Sequence, residues 1–287
     1  MRTWHRPLLL FTALMAATAL VSAVGLLVDD RVLVGSPIWL KPLKFSLSFV
    51  AFGLSWAWLL SLAPRTRLIN ATATTVVLAS VAEMAIIVGQ VVRGRRSHFN
   101  QTTELDGMLF SIMGATIVVL WVGTLLLTIK IAAQRLGTRS EQLAIRWGML
   151  ISLVGLLLGG LMLGNSSGVE NVIGAHSVGV PDGGPGLPLV NWSTTGGDLR
   201  VPHFIGMHAL QLLPLVALAV RRRPEPAAVR VIWTLALGYS ALVALVTWQA
   251  LRGQSIIHPD WATGTAFGVI AVGVAIGLVT AREKVTA

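Results

Sequence analysis

Long apolar runs separated by short polar breaks dominate the chain. Eight runs of about 20 mostly apolar residues recur along its 287 residues, and a helix needs about 20 such residues to cross the hydrocarbon core of a bilayer. The pattern therefore predicts an all-α polytopic membrane protein with eight transmembrane helices. The predicted spans are 7–28, 43–63, 70–92, 107–131, 144–164, 203–220, 230–250 and 263–281.

The composition agrees with a membrane protein and narrows its partners. Hydrophobic residues make up 54% of the chain and charged residues 12%, whereas soluble domains have about a quarter of their residues charged. The net charge of +10 raises nucleic acid as a partner, but the basic residues lie in short clusters between apolar runs and no aromatic stacking surface accompanies them. We therefore expect the lipid bilayer as partner and no nucleic acid. The absence of cysteine excludes disulfides and thiolate ligands.

The distribution of Lys and Arg predicts the orientation. An even number of spans places both termini on one side of the membrane. If that side is the cytoplasm, 14 Lys and Arg residues fall inside and 8 outside, which is the bias of inner-membrane proteins. The first run, Pro7 to Val28, exceeds the 7–15 apolar residues of a usual signal peptide, so we interpret it as a retained helix.

Two similar stretches indicate an internal repeat. "QVVRGRRSHFN" from Gln90 and "QALRGQSIIHPD" from Gln249 lie 159 residues apart, and the same offset places Lys44 on His203. Repeats of four helices insert in the same sense, so we predict two tandem parallel four-helix repeats, 1–140 and 141–287. The second contains a glycine-rich loop at 165–202. We expect this loop to be an ordered lid that covers the second repeat and leaves the first more open.

The histidines form the first group of candidate site residues. Five of the six histidines fall on the predicted outer side. Imidazole is a common ligand of metal ions and of haem iron, so four of them are candidate metal ligands and a metal ion or haem is the expected cofactor. The four are His98, His203, His208 and His258. For any single histidine, capping a helix or bridging two helices is the structural alternative.

Two further residues are candidates for catalysis or proton transfer. Glu83 is the one acidic residue deep in a predicted span, where a carboxylate must be protonated, paired or facing water. It is either a proton carrier or a hydrogen-bonded strut. Gln211 lies three residues after His208 and shares its helix face, about halfway into the membrane.

Charged residues near the outer boundary are candidates for binding anionic parts of a ligand or cofactor. Arg93 and Arg252 occupy equivalent positions in the two repeats, and a guanidinium group binds carboxylate or phosphate in a forked geometry. Asp198 and Arg200 lie just before the sixth span and are candidates for the same role. Alternatively, the first two arginines snorkel to the headgroups and Asp198 pairs with Arg200.

Other notable positions have a structural interpretation. In "WLKPLKF", Lys41 and Lys44 are read as side chains that snorkel at the interface. In "TTELD", Thr103 and Asp106 have the spacing of a capping box, and Asp260 in "HPDW" is read as the cap of the eighth helix. Glycines spaced by four residues in the fifth span, Gly155 and Gly159 among them, predict close packing between helices.

The motifs carry two resemblances. "WLKPLKFSLSF", "RGRRSHFNQTTELD" and "GGDLRVPHFIGMHALQLLP" together resemble a family of bacterial multi-spanning membrane proteins, which implies a membrane location. The plan of two four-helix halves with histidines on the outer side also resembles haem A synthase. Here, however, the second helix has Lys44 and Phe49 where that family has a histidine, and the Glu–His–Arg signatures are missing.

Three hypotheses for function follow. The first is a membrane protein that holds a metal ion or haem near the outer face for a redox or related reaction. The second is a small-solute or proton-coupled transporter, although the inner halves of the spans look apolar. The third is a zinc-dependent lipid hydrolase. All three expect a small-molecule or lipid ligand to enter from the extracytoplasmic side.

Overall fold

The computed structural model describes residues 4–64 and 66–283. Within this part, helices form almost all of the regular structure and two short β-ladders lie in loops. The helices are α1 Arg6–Val28, α2 Leu40–Leu62, α3 Arg67–Val92, α4 Glu104–Ala132, α5 Arg139–Leu158 with a 3₁₀ turn Gly159–Met162, α6 Arg200–Met207, α7 Ala209–Val220, α8 Glu225–Leu251 and α9 Trp261–Glu283. The strands are β1 Val32–Leu33, β2 Ser36–Pro37, β3 Ser177–Val178 and β4 Gly197–Asp198.

The prediction of eight membrane-spanning segments is confirmed for the described part of the chain. Eight helical segments there are long and apolar enough to cross a membrane, with hydropathy values from 1.7 to 2.3. The sixth segment consists of α6 and α7, which a turn at His208 separates. Pro214 lies inside α7, where a proline removes a helical hydrogen bond. Arg2, Arg65 and Lys284, which contribute to the predicted cytoplasmic charge, lie outside the described residues.

The helices pack as two groups of four spans. In the first group α1 packs on α2 and α3 on α4, and in the second α5 packs on α6 and α7 and α8 on α9. One buried apolar cluster includes Phe11, Trp56 and Ile87 of the first group and extends to Met149 and Leu210 of the second, and another, with Ile151, Leu213 and Ile232, lies within the second group. The groups meet where α4 contacts α5 and α2 contacts α7.

Two helix ends have the same local structure. Gln90 near the end of α3 donates to the carbonyl of Arg96 at 3.2 Å, and Gln249 near the end of α8 donates to the carbonyl of Ser255 at 2.9 Å. The acceptor is six residues after the glutamine in both cases. The glycines four residues after each glutamine have φ values of 68° and 70°, a left-handed conformation that glycine adopts without steric cost.

The four loops at one end of the bundle contact one another. We call this end, formed by 29–39, 93–103, 163–199 and 252–260, the long-loop end. Loop 163–199 crosses both groups of helices. Toward the first group, Gln101 donates its backbone N–H to the carbonyl of Asn171 at 2.8 Å. Toward the second, Ser255 donates its hydroxyl to the carbonyl of Ser193 at 3.2 Å.

The expectation that this loop leaves the first group more open is therefore wrong. A long loop carries backbone groups that need hydrogen-bond partners, and the neighbouring loops of the first group supply several of them. Residues 99 and 173 are also joined, since Ile173 donates its N–H to the carbonyl of Phe99 at 3.0 Å.

Candidate functional site

A lysine, a histidine and a glutamate lie in a row at the long-loop end of the first group. The Nζ atom of Lys41 is 3.0 Å from Nδ1 of His98, although the two residues are 57 positions apart. On the other side of the ring, Nε2 of His98 is 3.6 Å from Oε1 of Glu83. Glu83 is 1% exposed. We call these three residues the Lys–His–Glu cluster.

Each member of the cluster is placed by a different element. Lys41 is in the first turn of α2, Glu83 is on the buried face of α3, and His98 is in the loop that follows α3. Aromatic rings hold the His98 ring, with the ring centres of Phe45 and Phe99 at 5.8 and 5.9 Å. The cluster therefore depends on the packing of α2 against α3 and on the conformation of loop 93–103.

The hydrogen bonds assign the tautomer of His98. An ammonium group can only donate, so Lys41 donates to Nδ1 and the ring proton of neutral His98 lies on Nε2. That N–H faces Glu83 at a distance too long for a hydrogen bond. Oε1 of Glu83 has no hydrogen-bond partner among the described residues, while its Oε2 accepts a hydrogen bond from Thr116 at 3.2 Å. A shift of a few tenths of an ångström would connect Glu83 with His98.

The loop 163–199 contributes a second histidine–carboxylate pair beside the cluster. Nδ1 of His176 donates to Oδ2 of Asp182 at 2.8 Å, and the His176 ring packs on Phe99 with ring centres 5.1 Å apart. Burial opposes ionisation of Asp182, but hydrogen bonds from the ring and backbone of His176 and from the backbone of Ser177 hold the pKa of Asp182 well below its usual range. His176 and Asp182 were not among the predicted site residues.

Burial also controls the two loop histidines. It lowers the pKa of His98 well below its usual value, and the positive charge of Lys41 lowers it further. Burial likewise lowers the pKa of His176, although the hydrogen bond to Asp182 acts in the opposite direction. Both imidazoles are therefore neutral at pH 7.

Lys44 contacts the loop rather than the solvent. Its ammonium group donates to the carbonyl of Val190 at 2.7 Å, and no carboxylate lies within ion-pair distance of Lys41 or Lys44 among the described residues. The interpretation of both as snorkelling side chains missed this role. Two half-buried lysines without carboxylate partners can supply positive charge to an anion at this place.

The predicted anion-binding residues near the sixth span pair with each other. Arg200 and Asp198 form a two-pronged ion pair, with Nε–Oδ1 at 2.9 Å and Nη2–Oδ2 at 2.6 Å. Asp198 also accepts from the backbone of Ser193 at 2.8 Å. The pair therefore fastens loop 163–199 to the start of α6.

The two equivalent arginines have carboxylate partners as well. Arg93 binds Asp106 at 2.8 Å and Gln90 at 2.6 Å, and Arg252 binds Asp260 and lies over the ring of Trp248 at 4.2 Å. Each guanidinium group therefore binds across a loop between consecutive helices, the α3–α4 loop for Arg93 and the α8–α9 loop for Arg252. The prediction that they bind an external anion stays untested.

The four predicted metal ligands do not form one ligand group. His203 donates Nδ1–H to the carbonyl of Gly155 at 2.7 Å, and His208 donates to that of Phe204 at 2.8 Å. His258 is exposed and donates to Thr194 at 3.2 Å. The described residues contain no group of three or more His, Asp or Glu side chains arranged to hold a metal ion.

The environment of His98 also fits a metal ion poorly. The Lys41 ammonium occupies the Nδ1 side of the ring, and its positive charge would repel a cation bound there. The metal, haem and zinc-hydrolase hypotheses thus receive no support from this arrangement, and the cofactor stays a prediction.

Gln211 lies deeper, at the contact between α2 and α7. Its amide Nε2 donates to the hydroxyl of Ser55 at 3.1 Å, while its buried Oε1 has no hydrogen-bond partner in the described part of the chain. An unpartnered amide oxygen inside a membrane protein is costly unless water reaches it. The pair therefore marks a polar spot between the two groups of helices.

Comparison with known protein families, with curated proteins and with solved structures finds no match to the chain, so the two motif resemblances gain no support. The class of protein follows from the fold and the site alone. It is an all-α protein whose described residues contain eight helical segments long and apolar enough to span a bilayer, and it carries a cluster of titratable residues around the buried Glu83 under the long-loop end.

The loop histidines predict a pH-dependent stability. Because their pKa values are lower in the folded protein than in the unfolded chain, folding releases protons, and stability decreases as the pH falls below about 6.5. We expect the melting temperature in detergent to fall between pH 7.5 and pH 5, by roughly 2–4 °C for each kcal/mol lost. His98→Gln should reduce this fall. His258→Gln, at an exposed position, should leave it unchanged, and equal behaviour of the two variants would contradict the assignment.

Proposed function

We propose that this chain is a proton-coupled transporter of a small anionic solute, which it binds at the long-loop end. The observation that carries the proposal is the Lys–His–Glu cluster, a row of one lysine, one neutral imidazole and one carboxyl group beneath a loop, in which Glu83 is buried and Lys41 and His98 are half-buried. The two lysines supply positive charge for a carboxylate or phosphate group. Glu83 and His98 supply groups that exchange a proton in the same place.

We further propose the membrane arrangement that this function needs. Both termini lie in the cytoplasm of a plasma-membrane protein, so the long-loop end faces outward, and 1–140 and 141–287 are parallel repeats. The charge distribution supports the orientation. The identical hydrogen bonds of Gln90 and Gln249 at their helix ends support the repeat. Transporters commonly bind their substrate between such repeats, and the polar contact of Gln211 with Ser55 lies between the two groups of helices.

Polar groups below Glu83 support a path that continues inward. Helices α3 and α4 run antiparallel. Glu83 lies beside Thr116, and Val76 lies beside Gly123. Thr124 then lies about 12 Å below Glu83, from the rise of 1.5 Å per residue.

The hydroxyl groups of Thr124 and Thr128 are buried and have no hydrogen-bond partner within residues 4–64 and 66–283. By contrast, Thr12 and Ser80 in neighbouring helices donate to the carbonyl four residues earlier. Unpartnered hydroxyls of this kind are the groups that bound water satisfies. They weaken the objection that the inner halves of the spans are wholly apolar.

Anion-dependent proton movement in proteoliposomes tests the proposal. The purified chain is reconstituted with a pH-sensitive dye inside, and acetate, lactate, succinate or phosphate is added outside with the membrane voltage clamped. We expect at least one of these anions to acidify the lumen faster than in protein-free liposomes, and to raise the melting temperature in detergent. If none of the four does either, the proposal is wrong.

A further inference from the structure

The end of the bundle opposite the long loops has an open cavity of about 480 Å³ lined by Leu218, Ala219, Arg221 and Arg222. It lies where α7 ends, at the connection to α8. The volume is within the range of about 300–1,000 Å³ that is usual for small-ligand sites. The cavity is remote from the Lys–His–Glu cluster, because it lies at the other end of the spans.

Its lining has two chemical parts. Leu218 belongs to the spanning segment and is 40% exposed, so that it provides an apolar wall at the level of the acyl chains. Arg221 and Arg222 follow at the membrane boundary, and Arg223 continues the basic run. This order, apolar and then cationic, matches that of a phospholipid, whose acyl chains lie below an anionic headgroup.

The protein itself supplies few acceptors for these cations. Glu225, the nearest acidic residue in sequence, is bound to the backbone N–H of Ser140 at 2.6 Å and to its hydroxyl at 3.2 Å. Arg221, Arg222 and Arg223 have no ion pair within the described residues. Among the described residues, Nε of Arg230, in the second turn of α8, is buried without a hydrogen-bond partner. Within that part of the chain, the guanidinium groups at this end are therefore not neutralised by carboxylates.

We propose that this cavity binds the phosphate headgroup of an anionic phospholipid, with an acyl chain along Leu218. Guanidinium groups bind phosphate oxygens with two parallel hydrogen bonds. Placing arginines at the end of α7 also suits the negative end of the helix dipole, but that effect explains neither the cavity nor the run of three. The inference does not depend on the proposed transport function.

Lipid binding by the purified full chain tests this site. The protein in detergent is titrated with phosphatidylglycerol, phosphatidylcholine or inorganic phosphate, and bound lipid is counted by native mass spectrometry while melting temperatures are recorded. We expect phosphatidylglycerol to be retained and to stabilise the protein, phosphatidylcholine to do so at least tenfold more weakly, and inorganic phosphate to leave the amount of retained phosphatidylglycerol unchanged. Equal effects of the two lipids would overturn the proposal, and displacement of phosphatidylglycerol by inorganic phosphate at the same concentration would identify a free anion as ligand instead.

Two charge-matched double variants locate the site. R221Q/R222Q should lower the apparent affinity for phosphatidylglycerol at least tenfold. R95Q/R135Q removes the same charge at two exposed arginines outside the cavity and should leave the affinity unchanged. Equal losses would mean that only total charge matters, which contradicts a defined site. If R221Q/R222Q does not fold, the comparison of the lipids on the unmodified chain still decides the proposal.

Discussion

Replacement of Glu83 by glutamine is expected to abolish anion-dependent proton movement while leaving anion binding intact. Glutamine keeps the shape of the side chain and its contact with Thr116, but it cannot carry a proton. The rate of lumen acidification should fall by about 10²-fold or more, the usual effect of losing a proton-transfer group. The anion-induced rise in melting temperature should persist, because Lys41 and Lys44 are unchanged.

This separation of binding from proton movement gives the experiment its discriminating power. His258→Gln is the matched control, since it replaces an exposed titratable residue at the same end of the bundle, and it should transport at the normal rate. If the Glu83 variant moves protons as fast as the unmodified chain, Glu83 is a hydrogen-bonded strut. If it loses anion binding as well, the cluster is one binding unit and the assigned roles are wrong.

Replacement of Gly155 by alanine is expected to cause a large loss of stability. Helices α5 and α6 cross at Gly155, where an added Cβ would lie 2.2 Å from the backbone nitrogen of Met207 and 2.3 Å from the carbonyl carbon of Gly206. Because these are backbone atoms, the helices must move apart. Overpacking of this kind costs about 1–3 kcal/mol or more. The carbonyl of Gly155 also accepts from His203, so the start of the sixth span should shift too.

Gly114→Ala provides the control for this prediction. Gly114 is also inside a helix, but an added Cβ would meet nothing within 4 Å. Alanine favours a helix over glycine by about 1 kcal/mol, so this variant should be as stable as the unmodified chain or more so. Thermal melting in detergent measures both. Equal melting temperatures for the two alanine variants would contradict the close crossing of α5 and α6.

The two groups of helices share the same local structure at one helix end each, but the connections that follow these ends differ. The repeated Gln–x–x–Arg–Gly pattern of Gln90 and Gln249 was visible in the sequence, and both copies end their helix with the same hydrogen bonds. The arginines of the two copies, however, form ion pairs with aspartates at different distances along the chain, Asp106 and Asp260. A short motif preserves a helix end, while the connection that follows it is free to differ in length.

The sequence by itself determined the features that depend on neighbouring residues or on contact with lipid. An apolar run of about 20 residues predicts a span because the bilayer demands it, and eight such segments are present. Helix starts were also readable. Thr103 accepts from the backbone of Asp106 at 3.1 Å, and Asp260 accepts from that of Thr263 at 2.8 Å, as their cap spacing indicated.

Only the tertiary structure decided which polar residues meet. Lys41 and His98 are far apart in the sequence, and a lysine at a helix start looks like a headgroup anchor until α3 and its loop pack against it. Likewise, Asp198 forms an ion pair with Arg200. The histidines of the sixth span donate to backbone carbonyl groups, and the four predicted metal ligands therefore do not converge. The physical reason is that a polar group in low dielectric must find a partner. The partner is the nearest one in space, which depends on how the helices pack.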